Sequence, residues 1–271
     1  MSDSPPLCQD LTPRKIGLVN WIGLQTLVRK EVGRFLNVYS QTIIAPMVTT
    51  LLFYAVFSLA LGGESRMIGD IHYMTFLAPG LLMMTMVQNA FANTSSSMVI
   101  AKVQGNIVDI LMPPLSPLEF FLGFVVGGLL RGLMVGIATG LVIYLVVGLS
   151  VHAWGYVLAF AILGNLLLST IGLCAGIWSE KFDHIAAVTN FLVTPLTFLS
   201  GTFYSVSQLP PAWDFVAHLN PFFYMIDGFR YGFTGHADGN VLIGIYLLVA
   251  VNVILGLGAY LMIRQGYKIK G

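Results

Sequence analysis

Charge is so unevenly spread along this chain that long stretches carry none at all. Gly132 to Ser179 is 48 residues without Asp, Glu, Lys or Arg, and similar gaps run from Phe35 to Gly63, Ile71 to Ala101, Ile185 to Trp213 and Gly239 to Ile263. A helix of about 20 apolar residues crosses the ~30 Å hydrocarbon core of a bilayer, so each shorter gap suits one span. The 48-residue gap suits two, broken at Gly148, Ser150, His152 and Gly155, where turn-forming residues gather. Six membrane-spanning helices are expected. Composition agrees, because 9% charged residues in 271, against roughly 25% in soluble domains, cannot furnish a water-exposed surface. The net charge of +1 gives no reason to expect a nucleic-acid partner.

An even number of spans puts both ends on one side, and the basic residues identify that side. Arg14, Lys15, Arg29, Lys30, Arg34, Lys102, Lys181, Arg264, Lys268 and Lys270 share the side of the N-terminus, Arg66 and Arg230 fall opposite, and Arg131 is ambiguous. Both termini are therefore expected in the cytosol. The expected division is a tail over 1–14, an amphipathic helix over 15–36, a six-span region over 37–265 and a tail over 266–271. Cys8 and Cys174 are the two cysteines, too few and too far apart for a disulfide framework or a metal cluster. Pro5, Pro6, Asp10 and Pro13 precede any span, which does not fit a cleaved secretory signal, so the N-terminus is expected to be retained.

From Ile16 to Leu36 the pattern is amphipathic. At 100° per residue Leu18, Trp21, Ile22, Leu24, Val28, Val32, Phe35 and Leu36 form a broad apolar face, with Gln25 and Arg29 inside the arc, while Lys30, Glu31 and Arg34 lie opposite. Such a helix lies in the headgroup plane, either as an anchor alone or also touching a partner. Between the second and third spans, Val103, Ile107, Ile110 and Leu111 keep helical spacing until Pro113 and Pro114 stop the helix. That segment is either a docking element or an ordinary interfacial connector. From Tyr204 to Asp238, Pro210 and Pro211 predict a short helix through Leu219, and Asn220 and Pro221 a second through about Phe233. Rich in Trp213, Phe215, Phe222, Phe223, Tyr224 and Tyr231, the pair is either re-entrant or an aromatic belt at the interface.

The residues that could carry chemistry are few. His72, His152, His184, His218 and His236 are scattered, with no metal-ligand spacing, and no phosphate-binding Gly-rich loop with its Lys exists in the chain. Any ATP chemistry must come from another subunit. All twelve acids fall in tails, loops or the re-entrant segment, which argues against an ion-driven carrier. Arg131 is the one charge inside a span: if its helix starts near Phe120 it lies about 15 Å deep, and it either snorkels in a structural role or contacts substrate or another helix. Gln88, Asn89, Asn93, Thr94, Ser95, Ser96 and Ser97 cluster in the second span, and Thr189, Asn190, Thr194, Thr197, Ser200 and Thr202 in the fifth. These groups either join packed helices or line a path. Asp227 and Arg230, at i and i+3, are placed to pair.

Two long stretches carry a resemblance. Gly201-Thr-Phe-Tyr-Ser-Val-Ser-Gln-Leu-Pro-Pro-Ala-Trp and His218-Leu-Asn-Pro-Phe-Phe-Tyr-Met-Ile-Asp-Gly-Phe-Arg-Tyr-Gly resemble the signature region of permeases of type-2 ABC exporters. Gly105-Asn-Ile-Val-Asp-Ile-Leu-Met-Pro-Pro-Leu-Ser-Pro and Leu130-Arg-Gly-Leu are similar to the YadH-type and nodulation-factor branch. The resemblance covers the chain from about Trp21 onward. It implies an all-α integral membrane permease of the bacterial inner membrane that exports a lipid, glycolipid, polysaccharide or amphiphilic drug. It further implies two copies of this chain with two ATPase subunits, the Mg-ATP being held by the latter. Gly105, Ile107, Asp109, Ile110, Leu111, Pro113 and Pro114 would form the coupling helix seated on the ATPase, beside a connecting helix over 16–36. Pro210, Pro211, Trp213, Asn220, Pro221, Tyr224, Asp227 and Arg230 would belong to an outer gate. Relatives begin the coupling region with a charged run, whereas this chain has Ala101-Lys-Val-Gln-Gly.

Overall fold

The computed structural model describes residues 17–61, 67–69 and 71–269. The expected tail over 1–14, the start of the amphipathic segment, Cys8, Arg66, Lys270 and the chain's last residue lie outside them. The described elements are almost entirely helical: α1 (Trp21–Leu36), α2 (Ala45–Leu61), α3 (Tyr73–Val103), α4 (Ile107–Leu111), α5 (Pro117–Val147), α6 (Trp154–Trp178), α7 (Phe182–Val188), α8 (Thr194–Leu199), α9 (Pro211–Leu219), α10 (Pro221–Thr234) and α11 (Val241–Gln265). A π-helical turn, Ser40–Ile44, leads into α2, and another, Thr189–Val193, joins α7 to α8. The strands are a two-residue antiparallel pair, β1 (Met67–Ile68) and β2 (Ile71–His72).

Six helical stretches among the described residues are long and apolar enough to cross a membrane: Ser40–Ala60, α3, α5, α6, Phe182–Leu199 and α11. The architecture is thus an all-α integral membrane bundle. Alternate connections put α1, α4, the α6–α7 turn and the end of α11 at one end of the bundle, here called the base. The β1–β2 pair, the α5–α6 turn, α9 and the loop after α10 lie at the other.

Local chemistry sets the element ends. Ser116 and Glu119 form a capping box at the start of α5 with Pro117 in the first turn, and Gly148 closes the helix in the left-handed conformation at φ 67°. Asn220 caps α10, Asn240 caps α11, and Pro221 fits the first turn of α10, where its missing N–H costs nothing. Lys102 donates to the carbonyls of Ile177 and Ser179 at 2.7 and 2.5 Å, covering the free carbonyls at the end of α6.

At the centre is α3, 72% buried over its spanning stretch, against 61% for α6 and 11% for each of the first, fifth and sixth spans. Small residues bring α3, α5 and α6 into backbone contact. A methyl group on Gly172 would sit 2.5 Å from the Phe91 carbonyl oxygen, and one on Gly128 3.0 Å from that of Ala90. In a bilayer, where lipid tails are as apolar as leucine, such close packing is a main source of helix association.

The structure sets two span ends and corrects one expectation. The third span begins at Pro117, ahead of its charge-free gap and near the Phe120 start that puts Arg131 inside it, with Glu119 consumed as a cap. The fifth ends at Leu199, ahead of the segment expected from Tyr204, since Gly201 at φ 72° turns the chain. The amphipathic helix starts at Trp21, leaving Leu18 ahead of it, and its buried residues are Leu27, Glu31 and Phe35. Glu31, expected on the polar outward face, is fully buried, while Trp21, Ile22 and Leu36 face outward. The helix therefore docks a mixed face, Leu27, Glu31 and Phe35, on the bundle and leaves apolar Trp21, Ile22 and Leu36 exposed together with polar Gln25, Arg29 and Lys30.

Candidate functional site

The base is tied together by one carboxylate. Glu119 accepts the Ser116 N–H at 2.7 Å and the Asn20 N–H at 2.5 Å. Asn20 in turn caps α1 through Gly23 and donates its side-chain amide to the Pro114 carbonyl at 3.2 Å. The starts of α1 and α5 and the double proline after α4 are thus joined. Ile110 is buried in an apolar cluster with Leu27, Met98, Phe120 and Ile269, which fixes one face of α4. On the other side Val108, Leu111 and Met112 are exposed, Met112 by 76%. Asp109, Pro113 and Pro114 are exposed as well, Ile107 is half-buried, and Gly105 makes the turn out of α3 at φ 75°.

Where α1 meets α3, Glu31 accepts the Ser97 hydroxyl at 2.7 Å and pairs with Arg34 at 3.3 Å. Arg34 also donates to the carbonyl and side-chain oxygens of Asn93 at 2.8 and 2.9 Å. One helical turn along α3, Asn89 accepts from Arg131 of α5 at 3.0 Å. Arg131 thereby joins α5 to α3. Glu31, Arg34 and Glu119 carried no motif; the signal that could have exposed Glu31 and Arg34 is the run of Asn and Ser on α3, which needs polar partners from some other element. The buried Glu31 also qualifies the acid count, because α1 packs the stem of this side chain against Gly127 of α5.

Two grooves flank the middle of α3. One, of about 360 Å³, is lined by Gln88, Asn89, Ser95, Ser96, Thr189 and Thr194 with Phe91, Ile185 and Val193 between them. The other, of about 330 Å³, lies against α2 and includes Gln41, Thr49, Thr50, Thr85, Gln88 and Asn89. The polar residues of the second and fifth spans thus come together in part. Thr197 is buried and returns its hydroxyl to the Val193 carbonyl. Asn190 faces away from the groove and is exposed, and Asn93 is turned to Arg34.

At the far end Asp227 and Arg230 are both buried, with a loose 3.9 Å contact between them. Each has firmer partners. Asp227 accepts the N–H groups of Asp238 and Gly239, both at 2.9 Å. Arg230 donates to the carbonyls of Phe76 and Gly201 and lies 3.7 Å over the Phe76 ring. Asp238, which carried no motif, accepts the Ser205 hydroxyl and the Val206 N–H. Asn220 donates to Ser200 and Leu196. By contrast α9 leaves Trp213, Phe215, Val216 and Leu219 exposed, and Pro210 and Pro211 are exposed at its start. Pro221 and Tyr224 are half-buried, and Tyr224 lies edge-on to Phe223.

The family model of ABC-2 type transporters matches residues 23–234. The chain belongs to that family. The inner membrane transport permease YadH of Escherichia coli K12 is 39% identical over 249 residues, which is 91% of this chain and 96% of the relative. Nodulation protein J of Rhizobium leguminosarum bv. viciae is 26% identical over 110 residues, 41% of this chain and 42% of its own length. In Neorhizobium galegae the protein of that name is 27% identical over 81 residues, 30% of this chain and 31% of the relative. The chain is accordingly a multi-pass ABC-2 permease of the inner membrane, the transport component of a system whose family normally works with an ATPase subunit.

Proposed function

We propose that this permease is an export subunit: it moves a lipid, glycolipid, polysaccharide or amphiphilic drug out of the cytosol or inner leaflet, using ATP hydrolysed by a separate subunit. Two copies of the chain pair with two ATPases, and both termini lie in the cytosol. The observation that carries this reading is α4, where Ile110 anchors a helix that exposes Val108, Leu111 and Met112 at the base. Exposed apolar side chains beside Asp109 suit insertion into a groove of a soluble partner. The Asn20–Glu119–Pro114 links pass any push on α4 to α1 and α5, and the Glu31–Ser97 and Arg34–Asn93 contacts pass it to α3.

The grooves beside Gln88 and Asn89 are the pathway in this reading. Their flanks, Ser40–Ala60 and Phe182–Leu199, are the least buried spans together with α11, which suits closure by a second copy. Outer gating falls to α9, whose aromatic face is free, rather than to α10, which Asp227 and Arg230 hold in place. An ion-driven carrier is not favoured, because Glu31 is occupied by Arg34 and Ser97. Reconstitution of the permease with its ATPase tests the reading. Transport should stop when the ATPase loses its phosphate-binding lysine; transport that continues contradicts it.

A further inference from the structure

The polar cluster on the base half of α3 has more positive charge than its structural role requires. Arg34 has a carboxylate, Glu31, at 3.3 Å. Arg131 is 9% exposed and among the described residues has no carboxylate within 4.0 Å, only the neutral oxygen of Asn89. A cation held within a bundle in a bilayer is costly unless something offsets it.

The unsatisfied groups point the same way. Arg131 Nε, Arg34 Nε and Asn93 Nδ2 are buried N–H donors without an acceptor among the described residues. Buried donors are ordinarily paired, and an orphan costs about 1–3 kcal/mol. The other orphan atoms are oxygens, on Tyr54, Thr139, Asn165, Ser169 and Ser179, and none of them bonds to this cluster. What the cluster lacks is acceptors for these donors and, at Arg131, a counter-charge.

One partner of each guanidinium group also forms the wall of a groove that the arginines themselves lie behind rather than line. Asn89, which accepts from Arg131, and Ser96, which accepts from Arg34 at 3.4 Å, both line the 360 Å³ groove, whose remaining wall includes Phe91, Ile185 and Val193. No acid lines it. A polar edge backed by two cations, next to an apolar wall, matches a head group and the start of its chain.

We propose that Arg131 and Arg34 receive the anionic head group, phosphate or carboxylate, of a membrane amphiphile lying in the groove between α3 and α7–α8. The guanidinium fork suits such oxyanions. Asn89 and Ser96 are the adjustable partners, released as the anion arrives. This site deepens the reading of the groove as the transport pathway and rests on it.

The test uses the purified full chain in detergent and counts bound lipid by native mass spectrometry, with phosphatidylglycerol and phosphatidylcholine offered together in equal amounts. The unsubstituted protein is expected to prefer phosphatidylglycerol by about tenfold, as one charge-assisted hydrogen bond supplies. Arg131→Gln should remove most of that preference and Arg131→Lys should keep it, while Arg264→Gln, at the exposed end of α11, should leave it unchanged. Equal binding of the two lipids by the unsubstituted protein overturns the proposal without any variant, which matters if Arg131→Gln fails to fold. A preference that survives in folded Arg131→Gln overturns it as well. Excess inorganic phosphate separates the sources: retained phosphatidylglycerol supports an amphiphile, and displacement by phosphate overturns that assignment. Maleimide labelling of Thr194→Cys during ATP turnover reports on the pathway separately, so the failure of one claim is distinguishable from the failure of the other.

Discussion

Glu119 accepts the backbone N–H of Asn20 at 2.5 Å across 99 positions of sequence. With its second oxygen it closes the capping box on Ser116, so one buried carboxylate sets the start of α5 and holds α1 beside α4. Glu119→Ala should cost about 1–2 kcal/mol from the lost cap and the orphaned N–H. Thermal unfolding in detergent measures the loss. Because the link between α1 and α4 goes with it, substrate-stimulated ATP hydrolysis by the assembled complex should fall more than basal hydrolysis does. Glu119→Gln, which keeps an acceptor oxygen, should have the smaller effect on both.

Glu31 is buried with Arg34 and Ser97. Removing one member of a buried pair strands the other charge, typically at about 3–5 kcal/mol; Arg34 is 27% exposed, which places Glu31→Ala near the lower bound. Melting curves should show Glu31→Ala far below the parent and Glu31→Gln between them. Equal melting of Glu31→Ala and the parent would remove α1 from the rigid part of the bundle.

The six spans and the two short helices at the far end were legible in the sequence, because charge-free length and Pro or Asn punctuation are local signals. The docking of α1 was not. A helical wheel sorts residues by apolarity and assumes that the polar side meets water, whereas here Glu31 and Arg34 meet Asn93 and Ser97, about 60 residues away. The signal lay in two places at once, a polar run on α3 and a polar stripe on α1, and only their pairing gives it meaning. Asp227 and Arg230 are a milder case: the i, i+3 spacing brought them together, but their stronger bonds go to backbone groups of distant segments, which no spacing rule reveals. Asn190 and Thr194 are close in sequence, yet the π-helical turn at Thr189–Val193 intervenes and Asn190 is turned outward.

Glycine packing offers a contrast within one helix. A methyl group on Gly132 would collide with the Asn165 side chain and reach 2.9 Å from the Met86 carbonyl oxygen, while one on Gly140 would meet only Leu82 at 3.4 Å. Gly132→Ala should destabilise by about 1–3 kcal/mol through overpacking. Gly140→Ala should be neutral or slightly stabilising, since alanine favours the helix. Thermal stability of the two variants, measured side by side, checks the prediction.

Lys268 and Glu180 pair at 2.8 Å, fastening the segment after α11 to the α6–α7 turn. The hydrogen bond to Lys268 holds the Glu180 carboxyl below its ordinary range, and the same bond holds the ammonium above its own. The carboxylate's contribution is complete above about pH 4.3 and is lost as pH falls through the lowered value. The ammonium's is complete below about pH 10.4 and is lost as pH rises through the raised one. Spin labels on the tail and on the turn should therefore report a constant separation between about pH 5 and pH 10, widening only beyond those limits. Lys268→Ala should widen it throughout.

The most direct measurement addresses α4, where Met112 is exposed beside anchored Ile110. A photoreactive crosslinker attached through Met112→Cys in native membranes should join this chain to a polypeptide carrying ATP-binding-cassette sequences. Arg264→Cys, labelled in the same way, should not form that product. Absence of any such ATPase from the Met112 product, together with transport that persists without one, would contradict the account of this permease as one half of an ATP-driven exporter.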